Sequence, residues 1–257
     1  MSEGVPTLAD LTPRPEHAAR FVTCLQGLFA DLGYPLGPTR PLLDLGCGAG
    51  ETVSAWLDRG YEAYGVDLDP QALARAHPER CRLLSLSPYR IPFPDHTFAA
   101  AFSEDVFEHV DDYGSTLREL RRVLRPGGAA LHVFPARCRP LEAHVQVPLG
   151  GMIQTESYLR FWARLGVRAD WQGGMDAEAV TRANLRSLQQ HTNYLTRRQL
   201  EDEFGRHFEV VRFVEPEFLR RWFGRTRYLA PLLRLPGMAR LFSAAHLRVV
   251  LCARAAA

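Results

Sequence analysis

Over residues 16–32 the apolar positions Ala18, Phe21, Val22, Leu25, Leu28, Phe29 and Leu32 recur at intervals of three and four and stop at Gly33. This spacing predicts an amphipathic helix with one face laid against an apolar surface. The period then changes, and short apolar runs alternate with helical patterns. Strands are predicted over 41–45, 61–66, 81–86, 98–102 and 129–134, and helices over 51–58, 70–76 and 114–124, the last stopped by "RPGG". Parallel strands need long crossovers, and a crossover helix packs back on the sheet, so this alternation predicts a parallel sheet covered on both faces. Over 135–193 the rhythm stops in a segment with Trp162, Trp171 and several glycines; a helix over 196–205 and a strand over 208–214 follow. A second insertion over 216–245 precedes a last strand over 247–252. The expected fold is α/β: a doubly wound, mostly parallel seven-stranded sheet with helices on both faces and helical insertions. All of 1–257 is read as a single domain, with a ligand-holding half over 15–134, an insertion over 135–195 and C-terminal strands over 196–257.

Composition narrows the class. A chain of 257 residues with 46% hydrophobic content buries a substantial core, which excludes disorder of the whole. The net charge of +2 is too balanced to indicate nucleic acid. Every basic side chain other than histidine is arginine, so no lysine is present to form a Schiff base. The five cysteines are scattered, odd in number and free of any CxxC pair, which argues against a disulfide framework or thiolate zinc site and for a reducing, cytoplasmic setting. The first residues carry acids and prolines where a signal peptide has a basic start and an apolar run. The late apolar region, 228–253, is broken by Pro231, Arg234, Pro236, Arg240 and Arg248, short of the roughly 18 residues of a spanning helix. The expectation is a cytoplasmic protein with no transmembrane segment.

The stretch "LLDLGCGAGE", 42–51, occupies the loop after the first strand, where open parallel sheets bind ligands. Gly46, Gly48 and Gly50 remove side chains there, so backbone can touch a ligand directly. Asp44 makes the pattern DxGxGxG, whereas GxGxxG would need a glycine where Glu51 stands. Glu51 also places negative charge at the helix start that a pyrophosphate would occupy. A nucleoside ligand with a cationic group in place of phosphates satisfies both observations. Asp67, ending the second strand in "YGVDLDP", is placed to accept bonds from both ribose hydroxyls, and Asp69 before Pro70 reads as a helix N-cap.

With "RIPFPDHTFAAAFSEDVFEHV" over 90–110 and "LRELRRVLRPGGAALHVFP" over 117–135, these motifs resemble the class I S-adenosylmethionine-dependent methyltransferases. The likeness is strong over 42–134 and weak in the last two strands. It implies S-adenosyl-L-methionine as cofactor. The glycine loop, with Asp44, Gly46, Cys47, Gly48 and Gly50, would hold its methionine part and Asp67 its ribose. Leu68 would cover one face of the adenine, Leu86 and Ser87 would meet its edge, and Ser103 and Glu104 would border the donor. In many relatives an Asp contacts the adenine amino group where Ser87 stands here. A hydroxyl accepts that bond more weakly, so recognition leans on backbone near Leu86 and Ser87.

Methyl transfer from a sulfonium is an in-line displacement with its leaving group present, so the protein chiefly aligns the acceptor and removes its proton. His144, in "PLEAHVQVPLGG" after the fifth strand, is the expected base for a hydroxyl, with Glu142 orienting it. In "SEDVFEHV" the residues Asp105, Glu108 and His109 form DxxEH, similar to the ExxEH metal site of the ubiquinone-pathway and small-RNA 2′-O-methyltransferases. The plainer alternative is a capping box of Asp105 and Glu108 at a helix start; no metal is expected, and His109 stays a candidate catalytic residue. His132 is expected as a satisfied core residue, Phe161, Trp162 and Leu165 as helical core, and Thr196 as an N-cap, with Asn193 or His191 in reach of the acceptor pocket. The arginines, Trp222, Phe223, Tyr228 and leucines over 216–242 combine as in an interfacial helix. The favoured expectation is a lid packed on the sheet; the alternative is peripheral membrane contact. The expected function is S-adenosylmethionine-dependent methyl transfer to a hydroxyl of a glycan or small metabolite. Its rivals are a non-catalytic donor-binding scaffold, or a methyltransferase for a lipid-linked or RNA acceptor.

Overall fold

The computed structural model describes residues 15–190, 192–222 and 225–256. Helix α1 (Pro15–Asp31) buries Ala18, Phe21, Val22, Leu25, Leu28 and Phe29, the stripe its spacing predicts, and Cys24 with them. Strand β1 (Leu42–Leu45), helix α2 (Glu51–Leu57), strand β2 (Ala63–Asp67), helix α3 (Pro70–Leu73) and strand β3 (Cys81–Leu83) follow in the expected rhythm. The apolar run over 81–86 is split, however. Its last two residues leave the sheet to form a small hairpin of β4 (Ser85–Leu86) and β5 (Tyr89–Arg90), which puts Leu86 in solvent while Leu84 stays buried.

Strand β6 (Phe98–Glu104), helix α4 (Tyr113–Val123) and strand β7 (Leu124–Pro135) complete the first half. "RPGG" does not separate helix from strand. It lies inside β7, where the pairing with β6 passes from Phe98↔Leu124 to Ala100↔Ala129. The extra residues form a bulge that needs its glycines: Gly127 sits at φ 73°, and a Cβ on Gly128 would fall 2.9 Å from the carbonyl oxygen of Arg125 and 3.0 Å from that of Ala99.

The first insertion carries α5 (Glu156–Arg164) and α6 (Ala177–Gln190), over a small separate core that includes Val145, Val147, Leu159 and Leu188. Leu159 and Ala163 form the buried face of α5. Phe161 and Leu165, expected in the core, therefore lie on its outer side, 55% and 62% exposed. Helix α7 (Arg197–Gly205), strand β8 (Val210–Phe213), helices α8 (Glu215–Arg221) and α9 (Met238–Ala245) and strand β9 (Leu247–Ala253) end the chain. Among the described residues no helix is long and apolar enough to cross a membrane.

The seven-stranded sheet has the order β3-β2-β1-β6-β7-β9-β8, with β9 alone antiparallel to its neighbours. Alternate side chains enter two cores. Leu42, Phe102, Leu131, Val249 and Leu251 join α1 and α2 on one face, while Leu43, Leu45, Ala101, Phe134 and Val250 join α4 and α7 on the other. The second insertion packs Phe218, Leu219, Leu233 and Phe242 into the α1 core. The lid expectation therefore holds for its inner side.

Candidate functional site

The carboxyl ends of β1 and β2 carry the glycine loop. Gly46 and Cys47 donate their N–H groups to the Val66 carbonyl at 2.8 and 3.0 Å, which pins the loop to β2. Gly46 sits at φ 78°, and a Cβ there would lie 2.3 Å from Val106 Cγ2; the glycine is required by close approach as well as by conformation. Asp67 does work that the sequence did not reveal. Its Oδ2 accepts from the Gly48 N–H at 2.8 Å and its Oδ1 from the Asp69 N–H at 2.9 Å, so it shapes the loop while each oxygen keeps a further lone pair for a ligand. Asp69 caps α3 as expected, accepting from the Gln71 N–H.

Asp44 is buried, and desolvation, with the fields of Cys81, Asp67 and Glu104 behind it, holds its carboxyl well above the usual carboxylate range. A cradle with this charge pattern lacks positive charge, which a sulfonium or ammonium group supplies. The Cys47 side chain is buried, its Sγ 3.8 Å from the Gly48 carbonyl oxygen and packed over Gly65. Its Sγ lies where a Cβ on Gly65 would come within 2.5 Å, so only its backbone is available to a ligand. Leu68 is half exposed after β2, and Leu86 and Ser87 are exposed on the hairpin.

Ser103 requires a correction. It is fully buried with Oγ 2.8 Å from His132 Nδ1, so its side chain cannot border a ligand. Burial pushes His132 down to about 3, which makes it the neutral core residue expected. Glu104, next along β6, meets a partner unforeseen in the sequence: His17 Nε2, at 3.0 and 3.1 Å from its two oxygens. That bond holds His17 above the ordinary imidazole range against the effect of its burial, and it ties the first turn of α1 to the end of β6.

The acceptor-side cluster starts at Asp105. This residue is in the left-handed region at φ 53°, and its N–H bonds the Val133 carbonyl. Residues Phe107–His109 then form a single 3-10 turn with Val106 before it and no side-chain cap. The capping box of Asp105 and Glu108 is therefore absent, and Asp112 caps α4 instead through the Ser115 N–H. Glu108 is buried with neither carboxylate oxygen hydrogen-bonded. Desolvation and then the Asp105 charge hold it well above its ordinary value. Asp105, ringed by protein yet open to solvent, is pushed up to about 6 by desolvation and by Glu104.

His109 and His144 face each other edge-on with ring centroids 4.9 Å apart. One ligand atom from each of Glu108, His109 and His144 lies within 4.8 Å of the others. The trio able to hold a cation thus recruits His144 from the first insertion in place of Asp105. Two imidazoles and a carboxylate suit a divalent transition metal.

Glu142 is the best-satisfied carboxylate of the site. It accepts from the His144 and Val145 N–H groups at 2.7 and 2.8 Å, and from His144 Nδ1 and the Tyr194 hydroxyl, each at 2.8 Å. Burial pushes it up, but His144, the Val145 N–H and Tyr194 outweigh this and hold it below the usual range. An ionised Glu142 makes His144 Nδ1 a donor and leaves Nε2 as the basic nitrogen. The Trp171 indole N–H bonds the His144 carbonyl at 3.2 Å, bracing the segment from α6's side of the insertion. Tyr194 reaches the cluster from just before the Thr196 cap, a role with no sign in the sequence; Asn193, expected near the pocket, bonds the Val110 carbonyl at 2.9 Å. His191 lies outside the described residues.

Residues 43–132 match the family model described as "Methyltransferase domain". A malonyl-[acyl-carrier protein] O-methyltransferase of Pseudescherichia vulneris is 28% identical over 187 residues, 65% of this chain and 74% of the relative. An uncharacterized methyltransferase of Mycolicibacterium gilvum is 32% identical over 150 residues, 56% of this chain and 58% of its own. Among solved structures, an S-adenosylmethionine dependent methyltransferase from Mesorhizobium loti superposes on 94% of this chain and 100% of its own, with a TM-score of 0.53 at 17% identity. At that identity the likeness is one of fold.

Proposed function

Given a chain that carries the domain and fold of the class I S-adenosylmethionine-dependent methyltransferases, we propose that it methylates an oxygen of a small-molecule acceptor, with His144 taking the proton. The observation that carries this reading is the Glu142–His144 pair, a buried ionised carboxylate bonded to Nδ1 of an imidazole at the carboxyl ends of the strands. Bound S-adenosylmethionine supplies a methyl group on a sulfonium whose leaving group is a neutral thioether. Asp44, Gly46, Gly48, Gly50, Asp67 and Glu104, with the backbone of Cys47, would hold its polar parts; Leu68, Leu86 and Ser87 would meet the adenine. His144 Nε2 accepts the proton of the acceptor hydroxyl, and the charge that develops on the ring is met by Glu142. The O-methyltransferase among the relatives favours oxygen over nitrogen or carbon. No lining residue or relative speaks for a glycan, so the acceptor is left as a small molecule.

His144→Gln is expected to lower kcat by roughly 10² to 10⁴-fold, the range of a lost general base, with S-adenosylhomocysteine affinity intact by calorimetry. Turnover is read against a panel of hydroxyl, carboxyl and amine acceptors. A fully active variant removes His144 from the role. Donor binding without product from any acceptor favours a scaffold instead.

A second reading rests on the Glu108 carboxylate, buried without a hydrogen bond and 3.8 Å from His109 Nε2. Glu108, His109 and His144 would hold a divalent cation, with Glu142 on the other nitrogen of His144 as its orienting partner. The ion would hold and polarise the acceptor oxygen, and His144 would then be a ligand rather than a base. Calorimetric titration with Mn²⁺ separates the two: saturable binding lost in Glu108→Gln supports the cation, and its absence supports the base.

A further inference from the structure

We infer that the outer side of the second insertion is a docking surface for an anionic phospholipid bilayer. The inference is independent of the acceptor assigned above. Residues 216–245 contain six arginines and a single acid, Glu217, and of the arginines Arg221 is paired with Asp31; the chain as a whole is nearly neutral. The inner residues of the insertion are used in the α1 core, but its outer ones are not. Tyr228 is 69% exposed, Leu235 55% and Leu241 59%, with Leu229 and Leu232 beside them in sequence and also exposed. Large apolar side chains concentrated on one short segment require an explanation that scattered ones do not.

Among these side chains Arg220, Arg227 and Arg234, with Tyr228, Ala230 and Pro231, line an open hollow of about 280 Å³. The Arg227 guanidinium lies over the Tyr228 ring, 4.9 Å from its centroid, and donates to the Tyr228 hydroxyl at 2.9 Å. Arginines interleaved with exposed leucines and a tyrosine match the boundary between headgroups and acyl chains, where guanidinium groups meet lipid phosphate and the apolar side chains enter the first few ångströms of hydrocarbon. A nucleic acid would match the arginines but leave the leucines in water. The segment consists of short pieces, the turns Arg225–Leu229 and Leu232–Arg234 and helix α9, so it can lie on a bilayer without crossing it. Next to it, the Trp222 ring stands edge-on to His17, centroids 6.0 Å apart, and His17 bonds Glu104 at the cradle. Contact with a membrane would thus be made one ring contact away from the His17–Glu104 bond.

The test is vesicle flotation of the full chain with phosphatidylcholine alone and with about one-third phosphatidylglycerol, at about 0.1 M salt so that exposed charges are felt. The expected result is binding to the anionic vesicles at least roughly tenfold above the neutral ones. It should fall about thirtyfold in R227Q/R234Q, from ~1 kcal/mol per arginine near the surface, and roughly tenfold in L232S/L235S from lost apolar insertion. Melting temperature and S-adenosylhomocysteine affinity of both variants should match the parent, which separates lost docking from lost folding. Equal partition to both vesicle types, or variants that float like the parent, overturns the inference. Retention on RNA without vesicle binding also overturns it and assigns the arginines to a polyanion.

Discussion

At the residue scale, Asp67 decides more than any other side chain of the cradle. It holds Gly48 and Asp69 through one oxygen each and in the proposed function also holds the donor ribose. Asp67→Ala should weaken S-adenosylhomocysteine binding by about 1.5 to 3 kcal/mol, the scale of hydrogen bonds to a charged group. Asp67→Asn should lose less, because its carbonyl oxygen still accepts one of the two backbone N–H bonds. Calorimetry on both variants checks this, and an unchanged Kd for Asp67→Ala would detach the residue from the donor. The position of Asp67 was legible because an acid ending the second strand follows from local pattern. The His17–Glu104 and Glu142–Tyr194 bonds were not, since they join residues 87 and 52 apart in sequence and depend on packing alone. DxxEH misled for a related reason. The pattern fits a capping box, but Asp105 adopts φ 53°, so its side chain is not aimed at a helix start, and the third partner of the cluster comes from across the chain.

At the element scale, helix α7 connects the acceptor cluster to the sheet. Thr196 Oγ1 accepts from the Gln199 N–H at 3.3 Å, and Gln199 Oε1 accepts from the Thr196 N–H at 2.8 Å. This is a reciprocal capping box, of which Thr196 as the cap, but not Gln199, was expected from the sequence. At the other end of α7, Phe204 packs against Phe107, ring centroids 5.2 Å apart, directly before Glu108. Thr196→Ala should cost about 1 kcal/mol, the usual worth of an N-cap, read as a lower urea midpoint with unchanged slope. An unchanged midpoint would mean that packing of Leu200 and Phe204 alone holds the helix. Strand ends were the least legible elements. β6 runs to Glu104, two residues past its apolar stretch, because the pairings Ser103↔His132 and Glu104↔Val133 continue the ladder; polar residues at a strand end look like a turn until the partner strand is known.

At the scale of the whole molecule, the sheet order brings the carboxyl ends of β1 and β6 side by side, and this gathers Asp44, Asp105 and Glu108 at one edge. All three are held above their ordinary values, each chiefly by desolvation. The alternation of strands and helices made that edge legible as the place for a site, whereas the burial of Asp44 and Glu108 beside the exposed Asp105 depended on packing. The sign of the consequence follows from linkage. The folded state keeps these protons to higher pH than the unfolded chain, so their contribution to stability is complete below the unfolded carboxylate pKa and is lost as pH rises through the folded values, for Asp105 from about 4 to about 6. Glu142, held low, acts in the opposite sense and loses its contribution only as pH falls below the usual carboxylate range. His132, buried neutral and pushed down to about 3, gains stability as pH rises to the ordinary imidazole range, so the acids are read by difference: relative to Asp105→Asn with Glu108→Gln, the ligand-free parent should lose melting temperature between about pH 5 and pH 8. A cationic ligand relieves the same charges, so a methyl donor bearing its sulfonium should raise the melting temperature more at pH 8 than at pH 5. Superimposable profiles for parent and double variant, with and without donor, would show that the acids at this edge are not coupled to folding or to the charge of the ligand.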